Sequence, residues 1–294
     1  MMQMSYCHLA VQDLAWWRQF GEQVGYAVEE DASGDRLYWR TDSERDYRWA
    51  IEAVGSKAPT GLRRVGWELS DQPLWHATQQ RLDTLGYTAT PATGALLQAR
   101  RVEEMFWLDG PDALTHEVHW GANCALRKPL SLDVLARFES GPYGNGHITI
   151  NVDDDRRVLA FATEGLGLRL SDAAWMEGHS RVYFLRCNPR HHSYAFAQVS
   201  RQPTGTMHVM SDLRNLDQLG QVRDRLLTHG FQLSRDLGSH PLDGVVSIYV
   251  ATPEGFEFEL ACGTRWINEA TWEQDKFQRQ GLAWGHRRSS SDAK

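Results

Sequence analysis

The sequence predicts an α+β protein made of two similar domains, and three observations support this fold class. Short strand candidates alternate with four amphipathic helix candidates, so that the pattern β-α-β-β-β occurs four times along the chain. The chain has 294 residues, which is enough for two domains of ordinary size, each with its own core. The third observation is an internal repeat, which indicates that one half is a copy of the other.

The helix candidates are recognised by apolar residues spaced three or four positions apart. The clearest candidate covers residues 213–229, and Gly230 ends it. Its apolar face consists of Leu216, Leu219, Val222 and Leu226. The other three candidates lie near residues 13–24, 71–85 and 153–164. Each candidate follows a short strand and precedes two or three more, which produces the four units.

The internal repeat becomes visible when the chain is compared with itself at an offset of about 140 residues. Three pairs of segments match in the same order: CHLAV at Cys7 with GHITI at Gly146, GWELSD at Gly66 with MHVMSD at Met207, and THEVHWG at Thr115 with EFELACG at Glu257. The repeat predicts an N-terminal domain over residues 1–127, a connector that contains Pro129, and a C-terminal domain over residues 142–288.

Composition and charge exclude several classes of protein. Hydrophobic residues make up 41% of the chain and charged residues 23%, without a long apolar run, so we expect a soluble globular protein with no membrane partner. The net charge is -7 and the basic residues are scattered, which argues against a nucleic-acid surface. The first residues lack the features of a secretory signal, and only the final segment HRRSSSDAK has the composition of a disordered tail.

The cysteines predict a reducing environment. Cys7, Cys124, Cys187 and Cys262 are far apart in the sequence and form no CxxC pair. A disulfide framework and a thiolate zinc site are therefore not expected, and the cytoplasm is the expected location.

The repeat isolates one candidate metal site, because the C-terminal copy has His147, His208 and Glu259 at the three matched points. Two imidazoles and one carboxylate form the facial set that holds Fe(II) and leaves other positions open. Each histidine alone would more often be structural, and Glu257 is a competing carboxylate on the same strand face as Glu259. The alignment favours Glu259, because Glu117 of the N-terminal copy matches it.

The N-terminal copy has His8, Trp67 and Glu117 at the same three points. Trp67 would replace the middle histidine and fill the space of a ligand with a ring. We therefore expect the N-terminal domain to be a degenerate copy without a metal, in which these residues have packing roles.

The segment GSHPLDGVVSIYVATPEGFEFE, which ends at Glu259, resembles the signature of type I extradiol ring-cleaving dioxygenases. In that signature Gly-x-His is followed by seven residues, Ile-Tyr, two residues, Thr-Pro-x-Gly, three residues and Glu. Over almost its full length the chain is similar to the dihydroxybiphenyl dioxygenase group of the vicinal oxygen chelate superfamily. The resemblance implies a fold of four βαβββ modules that form two funnel-like sheets.

The resemblance also implies the ligands and the reaction. His147, His208 and Glu259 would bind Fe(II), although the same donor set accepts Mn(II). The substrates would be a catechol and O2. The ring would open beside the two hydroxyl groups and not between them, and the product would contain both oxygen atoms of O2. Relatives that take bicyclic or larger catechols have a similar two-domain length, and they assemble from several identical subunits.

The stretch RCNPRHHSYAFAQ sets two histidines side by side before an apolar run. In an extended chain successive side chains point to opposite faces, so only one of the pair can share the face of Tyr194 and Phe196. The resemblance assigns the acid–base role to His192, and we expect His191 to point the other way without a catalytic role. An imidazole with an unperturbed pKa of about 6.5 can accept a proton from a catechol and return it.

Three further catalytic positions follow from the resemblance. His240 would form a hydrogen bond on the side of the ring hydroxyl and the oxygen, and the hydroxyl of Tyr249 would contact a substrate oxygen. Asp243 would be one of the outer residues that orient the metal ligands and tune their basicity. Trp175 and Met176 are candidates for the lining of the substrate pocket.

Two alternatives remain open at this point. A glyoxalase-like isomerase on the same scaffold would use another divalent metal, but it would want four protein ligands and would have no use for His192, His240 and Tyr249. A protein that has lost catalysis and only binds an aromatic ligand would have no reason to keep ligands in the C-terminal half alone.

Overall fold

The computed structural model describes residues 1–123, 129–175, 181–200, 202–274 and 284–287. Four parts of the sequence predictions lie outside these residues: Cys124, Met176, the tail from residue 288 onward, and the domain limits at residues 127 and 288. Within the described residues the chain forms two mixed sheets, one from each half, and helices pack against both.

The first sheet is built from the N-terminal half. Its elements are β1 (Met2–Val11), α1 (Leu14–Val24), β2 (Ala27–Glu30), β3 (Arg36–Arg40), β4 (Trp49–Ala53), β5 (Gly61–Leu69), α2 (Gln72–Thr84), β6 (Thr90–Pro91), α3 (Gly94–Arg100), β7 (Val102–Asp109) and β8 (Thr115–Ala122). The strands lie in the order β2-β3-β4-β1-β5-β8-β7-β6.

The second sheet repeats this plan after a connector that contains α4 (Leu132–Arg137). Its elements are β9 (His147–Asn151), α5 (Asp155–Ala160), β10 (Arg169–Trp175), β11 (Arg181–Arg186), β12 (Tyr194–Ala197), β13 (Gly205–Leu213), α6 (Leu216–Thr228), β14 (Leu233–Ser239), β15 (Val246–Ala251), β16 (Glu257–Cys262) and β17 (Trp284–Gly285). The strands lie in the order β10-β11-β12-β9-β13-β16-β15-β14-β17.

The pairing of the strands confirms the predicted α+β class and the four β-α-β-β-β modules. The two modules of each sheet meet through antiparallel central strands, β1 with β5 and β9 with β13. Each central strand also pairs in parallel with the last strand of its own module. The second module has one additional short helix, α3.

A polar side chain begins each of the four predicted helices. The oxygens of Asp13, Asp71, Asp154 and Asn215 accept a hydrogen bond from the backbone N–H three residues later. The four helices are confirmed with two differences. Only Asp155–Ala160 of the third candidate is α-helical, and Phe161–Leu166 continues it as a π-helix. Leu216 is 56% exposed, so the buried face of α6 begins at Leu219.

The sequence does not predict α3 and α4. Neither helix has a buried residue, so apolar periodicity gives no signal for them. Both begin with a hydroxyl side chain that caps the first turn, Thr93 for α3 and Ser131 for α4. None of the helices in the described part of the chain is both long enough and apolar enough to cross a membrane.

The two halves share one hydrophobic core. Trp17 of α1 is fully buried and stacks on Phe256 of the fourth module, with 5.8 Å between ring centroids. Phe20 packs against Phe258 in the same region at 5.1 Å. On the other side of the molecule, Leu82 of α2 packs directly over Gly165, where a Cβ atom would lie 2.7 Å from the leucine. The first module therefore packs on the fourth, and the second packs on the third.

A buried arginine connects the first sheet to the turn before β9. Nε of Arg48 donates to Oδ2 of Asp42 at 2.7 Å, and Nη2 donates to the carbonyl of Gly141 at 2.7 Å. Burial alone would raise the pKa of Asp42, but the charge and the hydrogen bond of Arg48 lower that pKa below its ordinary value. The ion pair thus holds a carboxylate in its charged form inside the protein.

We expect Arg48→Met to lower the free energy of unfolding by about 3–5 kcal/mol, because it leaves the carboxylate of Asp42 buried without its cation. Urea unfolding followed by circular dichroism measures the change. Arg63→Met, on the exposed side of β5, is the matched control and should alter the free energy by less than about 0.5 kcal/mol. A loss in Arg48→Met no larger than that of the control would contradict the role of the buried pair.

Candidate active site

Three adjacent strands of the second sheet bring His147, His208 and Glu259 together. Nε2 of His147 lies 3.1 Å from Nε2 of His208 and 3.1 Å from Oε2 of Glu259. Nε2 of His208 lies 3.5 Å from the same carboxylate oxygen. Among the described residues this is the one group of three or more His, Cys, Asp or Glu side chains whose ligand atoms converge in this way.

The strand register explains why the three side chains share one face. Met210 of β13 pairs with His147 of β9 on one side and with Glu259 of β16 on the other. His208 precedes Met210 by two positions and therefore points to the same face of the sheet. Gly146 allows the strands to approach, since a Cβ atom there would lie 2.3 Å from the carbonyl oxygen of Met210.

The chemistry of this donor set fits a divalent cation. Glu259 is 1% exposed, its nearest neighbours are the imidazoles of His147 and His208, and no arginine or lysine among the described residues forms an ion pair with it. Burial alone would raise its pKa, but the adjacent His147 and His208 lower that pKa below the ordinary value, so the carboxylate stays charged. A buried charge of this kind needs a cation. The three ligand atoms lie 3.1 Å, 3.1 Å and 3.5 Å from one another, so that one ion would be within reach of all three.

His208 is also in the form that binds metals. Burial lowers the pKa of His208 to about 3, so its ring is neutral at physiological pH. A neutral imidazole offers a lone pair to an ion. Nε2 of His208 lies 2.9 Å from the hydroxyl of Thr149, which keeps this nitrogen directed at the face where the donors meet.

The competing carboxylate, Glu257, already has partners. It accepts a hydrogen bond from Ser234 at 2.6 Å and forms an ion pair with Arg235 at 2.9 Å. Its charge is therefore neutralised by side chains of β14, whereas that of Glu259 is not. This difference favours Glu259 as the ligand, as the internal alignment does.

His192 lies beside the three donors, with its ring centroid 4.1 Å from that of His147. It is 4% exposed, and its pKa is lowered well below the ordinary value by burial and then by the nearby His147 and His191. The ring is therefore neutral and can accept a proton. Phe184 packs edge-on against it at 5.0 Å, which helps to hold its orientation.

The expectation that His191 points away from His192 is wrong. Nδ1 of His191 lies 3.1 Å from Nδ1 of His192, and the two rings are nearly perpendicular. Strict alternation does not apply because β12 begins only at Tyr194, so both histidines lie in the irregular segment before it. Nε2 of His191 lies 2.8 Å from Oδ2 of Asp172, a contact with a distant strand that the sequence does not reveal.

His240 and Tyr249 form a second group next to the donors. Nε2 of His240 and the hydroxyl of Tyr249 are hydrogen-bonded at 2.9 Å. Tyr249 pairs with Glu259 across β15 and β16, and its ring centroid lies 5.5 Å from that of His208. Burial and then the charge of Glu259 raise the pKa of Tyr249 well above its ordinary value, so its hydroxyl keeps its proton.

His286 joins this second group, and the sequence analysis gives it no role. Its ring stacks on that of His240 at 4.6 Å and lies 5.3 Å from that of Tyr249. Gly238 makes room for it, since a Cβ atom there would lie 2.4 Å from the ring. Burial, followed by the charge of His240, lowers the pKa of His286 to about 4. The segment Trp284–Gly285, which pairs with β14, is what brings this histidine to the site.

Asp243 and Trp175 lie where they do not contact the three donors directly. Oδ1 of Asp243 accepts a hydrogen bond from the backbone of Val245 at 3.3 Å, within the turn that follows His240. Trp175 lies at a surface groove near Arg181 and Tyr183 at the open edge of the second sheet.

The sheet register corrects the predicted internal alignment. In the second sheet Met210 is flanked by His147 and Glu259, as described above. In the first sheet Gly66 is flanked in the same way by Tyr6 and Glu117. Tyr6 is therefore the structural equivalent of the first histidine, and the predicted equivalence of His8 is wrong.

By the same register Arg64, and not Trp67, occupies the position of His208. Arg64 lies two residues before Gly66, as His208 lies two residues before Met210. Trp67 points into the core, where it is fully buried, and its Nε1 donates to Nδ1 of His116 at 2.9 Å. It does not fill the space of a ligand. His8 lies two residues after Tyr6 on the same face, and its ring is hydrogen-bonded to the hydroxyl of Tyr47 at 3.1 Å.

In the first sheet a guanidinium binds the carboxylate that corresponds to Glu259. Nε and Nη2 of Arg100 donate to the two oxygens of Glu117 at 2.7 Å and 2.9 Å. The hydroxyl of Tyr6 donates to the same carboxylate at 2.6 Å, and Arg64 lies 3.5 Å away. Burial alone would raise the pKa of Glu117, but Arg100 lowers it to about 2. The equivalent carboxylate thus has protein partners on both oxygens.

Four βαβββ modules and one sheet face with two imidazoles and a carboxylate define the class of vicinal oxygen chelate proteins. Residues 144–260 match the Glyoxalase/Bleomycin resistance protein/Dioxygenase superfamily. The chain is 30% identical to an iron-dependent extradiol dioxygenase of Rhodococcus jostii, over 96% of this chain and 96% of the relative. It is 31% identical to a biphenyl-2,3-diol 1,2-dioxygenase of Paraburkholderia xenovorans, over 97% of this chain and 94% of the relative.

The solved structures agree with these relatives. The structure of a halotolerant catechol dioxygenase superposes with a TM-score of 0.85 at 26% identity, over 99% of this chain and 96% of the other. The chain belongs to the family of extradiol ring-cleaving dioxygenases.

We expect the protein to bind one divalent cation per chain, because among the described residues only the second sheet brings two imidazoles and a carboxylate together in this way. Anaerobic dialysis against Fe(II) followed by elemental analysis measures the stoichiometry. His208→Ala should abolish binding, whereas His8→Ala, the control in the first sheet, should retain one ion. Two ions per wild-type chain, or unchanged binding by His208→Ala, would contradict the assignment.

Proposed function

We propose that the protein cleaves the aromatic ring of a catechol with O2 at an Fe(II) ion held by His147, His208 and Glu259. The observation that carries the proposal is the buried and charged carboxylate of Glu259 beside the imidazoles of His147 and His208, in a chain of the extradiol family. When bound there, Fe(II) would supply the redox chemistry through which a catechol reacts with O2. The relative from Rhodococcus jostii, which is named as iron-dependent, supports iron over Mn(II).

His192 is the proposed acid–base residue. A catechol must lose protons to bind as an anion, and a neutral imidazole beside His147 can accept one. Its low pKa makes it neutral before substrate arrives, so that no proton has to leave the histidine first. The proton that it takes from a hydroxyl can later return to an oxygen of the ring-opened product.

His240 and Tyr249 are the proposed partners of the substrate oxygens. The hydroxyl of Tyr249 keeps its proton and can therefore donate a hydrogen bond to a catecholate oxygen. When Nε2 of His240 donates to the oxygen of that hydroxyl, the hydroxyl proton is left for the substrate. Asp243 is assigned a structural role in the turn that follows His240, where its carboxylate accepts a hydrogen bond from the backbone N–H of Val245.

The proposed substrate is a bicyclic or larger catechol. This rests on the relative from Paraburkholderia xenovorans, which is named for biphenyl-2,3-diol and matches the chain almost from end to end. The division into a catalytic C-terminal domain and a degenerate N-terminal domain, the cytoplasmic location and an assembly of several identical chains stay predictions.

The two alternatives are less well supported. A glyoxalase-like isomerase would want a fourth protein ligand, and the converging group in the described residues has three members. A binding protein without catalysis would not need a neutral histidine next to the donors, or a hydrogen-bonded pair such as His240 and Tyr249.

After anaerobic loading with Fe(II), we expect the protein to consume one O2 for each 2,3-dihydroxybiphenyl and to form a yellow ring-opened product. An oxygen electrode and visible absorbance measure the two together. His208→Ala should show neither signal. If the loaded protein is inert towards this compound and towards a panel of smaller and larger catechols, the proposed function fails.

We expect His192→Gln to lower kcat by about 10²- to 10⁴-fold, the usual contribution of a general acid–base group, while the iron content stays at the wild-type value. Steady-state oxygen uptake and elemental analysis on the same sample measure the two. His229→Gln, at the exposed end of α6, is the control and should leave kcat unchanged. A wild-type kcat in His192→Gln would remove this residue from the mechanism.

A further inference from the structure

We propose that Asp172 and His191 are positioning residues that fix the tautomer of His192, so that its Nδ1 carries the proton and its Nε2 offers a lone pair. The inference rests on the proposed function, because a lone pair on Nε2 matters only if His192 accepts a proton from substrate. It concerns two side chains that the resemblance leaves without a role.

The three side chains form a continuous hydrogen-bonded chain. Oδ2 of Asp172 lies 2.8 Å from Nε2 of His191, and Nδ1 of His191 lies 3.1 Å from Nδ1 of His192. All three are buried, with relative exposures of 1%, 0% and 4%. Asp172 belongs to β10 and comes from the far edge of the sheet, so this contact is a product of the fold rather than of local sequence.

The direction of the hydrogen bonds follows from the carboxylate. An ionised carboxylate only accepts, so Nε2 of His191 must carry its proton towards Asp172. With His191 in its neutral form, its one proton is on Nε2 and its Nδ1 has a lone pair. The proton between the two Nδ1 atoms must therefore belong to His192. Its Nε2 is left without a proton, which is the state that a general base requires.

The first sheet contains a similar chain in which the direction is certain. Nε2 of His116 lies 3.1 Å from both carboxylate oxygens of Asp112, and its Nδ1 accepts the indole N–H of Trp67 at 2.9 Å. An indole nitrogen can only donate, so Nδ1 of this histidine must be the acceptor. An imidazole that is bonded to a buried carboxylate through Nε2 in this protein thus has the same tautomer that we infer for His191.

The side chains packed around His191 hold its ring in place and shield it from water. Trp272 stands edge-on to its ring at 5.7 Å, and Phe184 lies on another side at 5.9 Å. The backbone N–H of His191 donates to the carbonyl of Arg265 at 3.0 Å, which fixes the main chain. With aromatic rings on these sides and both ring nitrogens already bonded, the ring is held in one orientation.

Nitrogen NMR of the metal-free protein, labelled with ¹⁵N-histidine, tests the inference without using activity. The expected result is a proton on Nδ1 of His192 and on Nε2 of His191, with signals assigned by their loss in His192→Gln and His191→Gln. A proton on Nε2 of His192, or two protons on His191, would overturn the proposal. The positions of the protons are read from the wild-type spectrum, and the two variants serve only to assign its signals.

Asp172→Asn supplies the kinetic test. An amide can donate to Nε2 of His191, which would reverse both bonds and move the proton of His192 to Nε2. The expected result is a fall in kcat of at least about tenfold with KM little changed, together with the reversed tautomer in the NMR spectrum. An unchanged tautomer and an unchanged kcat would overturn the proposal.

Asp112→Asn is the matched control, because it alters a buried Asp–His pair in the other sheet. It should leave the tautomer of His192 and kcat unchanged. An equal loss of kcat in this control would show that such pairs act only through stability, and would overturn a positioning role. If wild-type protein shows the expected tautomers but consumes no O2 with any catechol, the proposed function fails while the hydrogen-bond assignment stands.

Discussion

A buried carboxylate at the same place in each sheet is the constraint on which the rest of the site depends. Glu117 and Glu259 both lie on the strand that pairs in parallel with a central strand, and both are almost completely shielded from water. A carboxylate inside a protein must be protonated or matched by a cation. The first sheet supplies the guanidinium of Arg100, and the second places the imidazoles of His147 and His208 beside its carboxylate. The two halves thus solve one electrostatic problem in two ways.

The frame that presents these groups is stiff because it is made of paired strands. His147, His208 and Glu259 come from three neighbouring strands, and the positions of their Cα atoms are set by backbone hydrogen bonds rather than by loops. The groups that would handle protons are arranged around this frame. His192 comes from the segment that leads into β12, Tyr249 from β15, and His286 is held by the short strand that precedes it.

Much of the fold could be predicted, because helices with a buried stripe and a polar cap leave a clear pattern in the sequence. The donors of the second sheet could be proposed from the repeat, but their counterparts in the first sheet could not. A shift of two or three residues is invisible when short segments are matched by similarity alone. The helix caps would have given the right frame: Asp13 follows Tyr6 by seven residues, as Asp154 follows His147. The proposed role of His191 could not be predicted from the sequence, because its partner Asp172 contacts it only in the folded protein.

The bond between Arg100 and Glu117 also bears on the history of the two halves. If both descend from one ancestor with a metal, the first half has taken a step that is hard to reverse. To regain an ion it would have to lose Arg100 and exchange Tyr6 and Arg64 for imidazoles, and each change alone would leave Glu117 without its full set of partners. Selection would meet a less stable protein at every intermediate. The guanidinium of Arg100 therefore makes a return to metal binding in the first sheet costly.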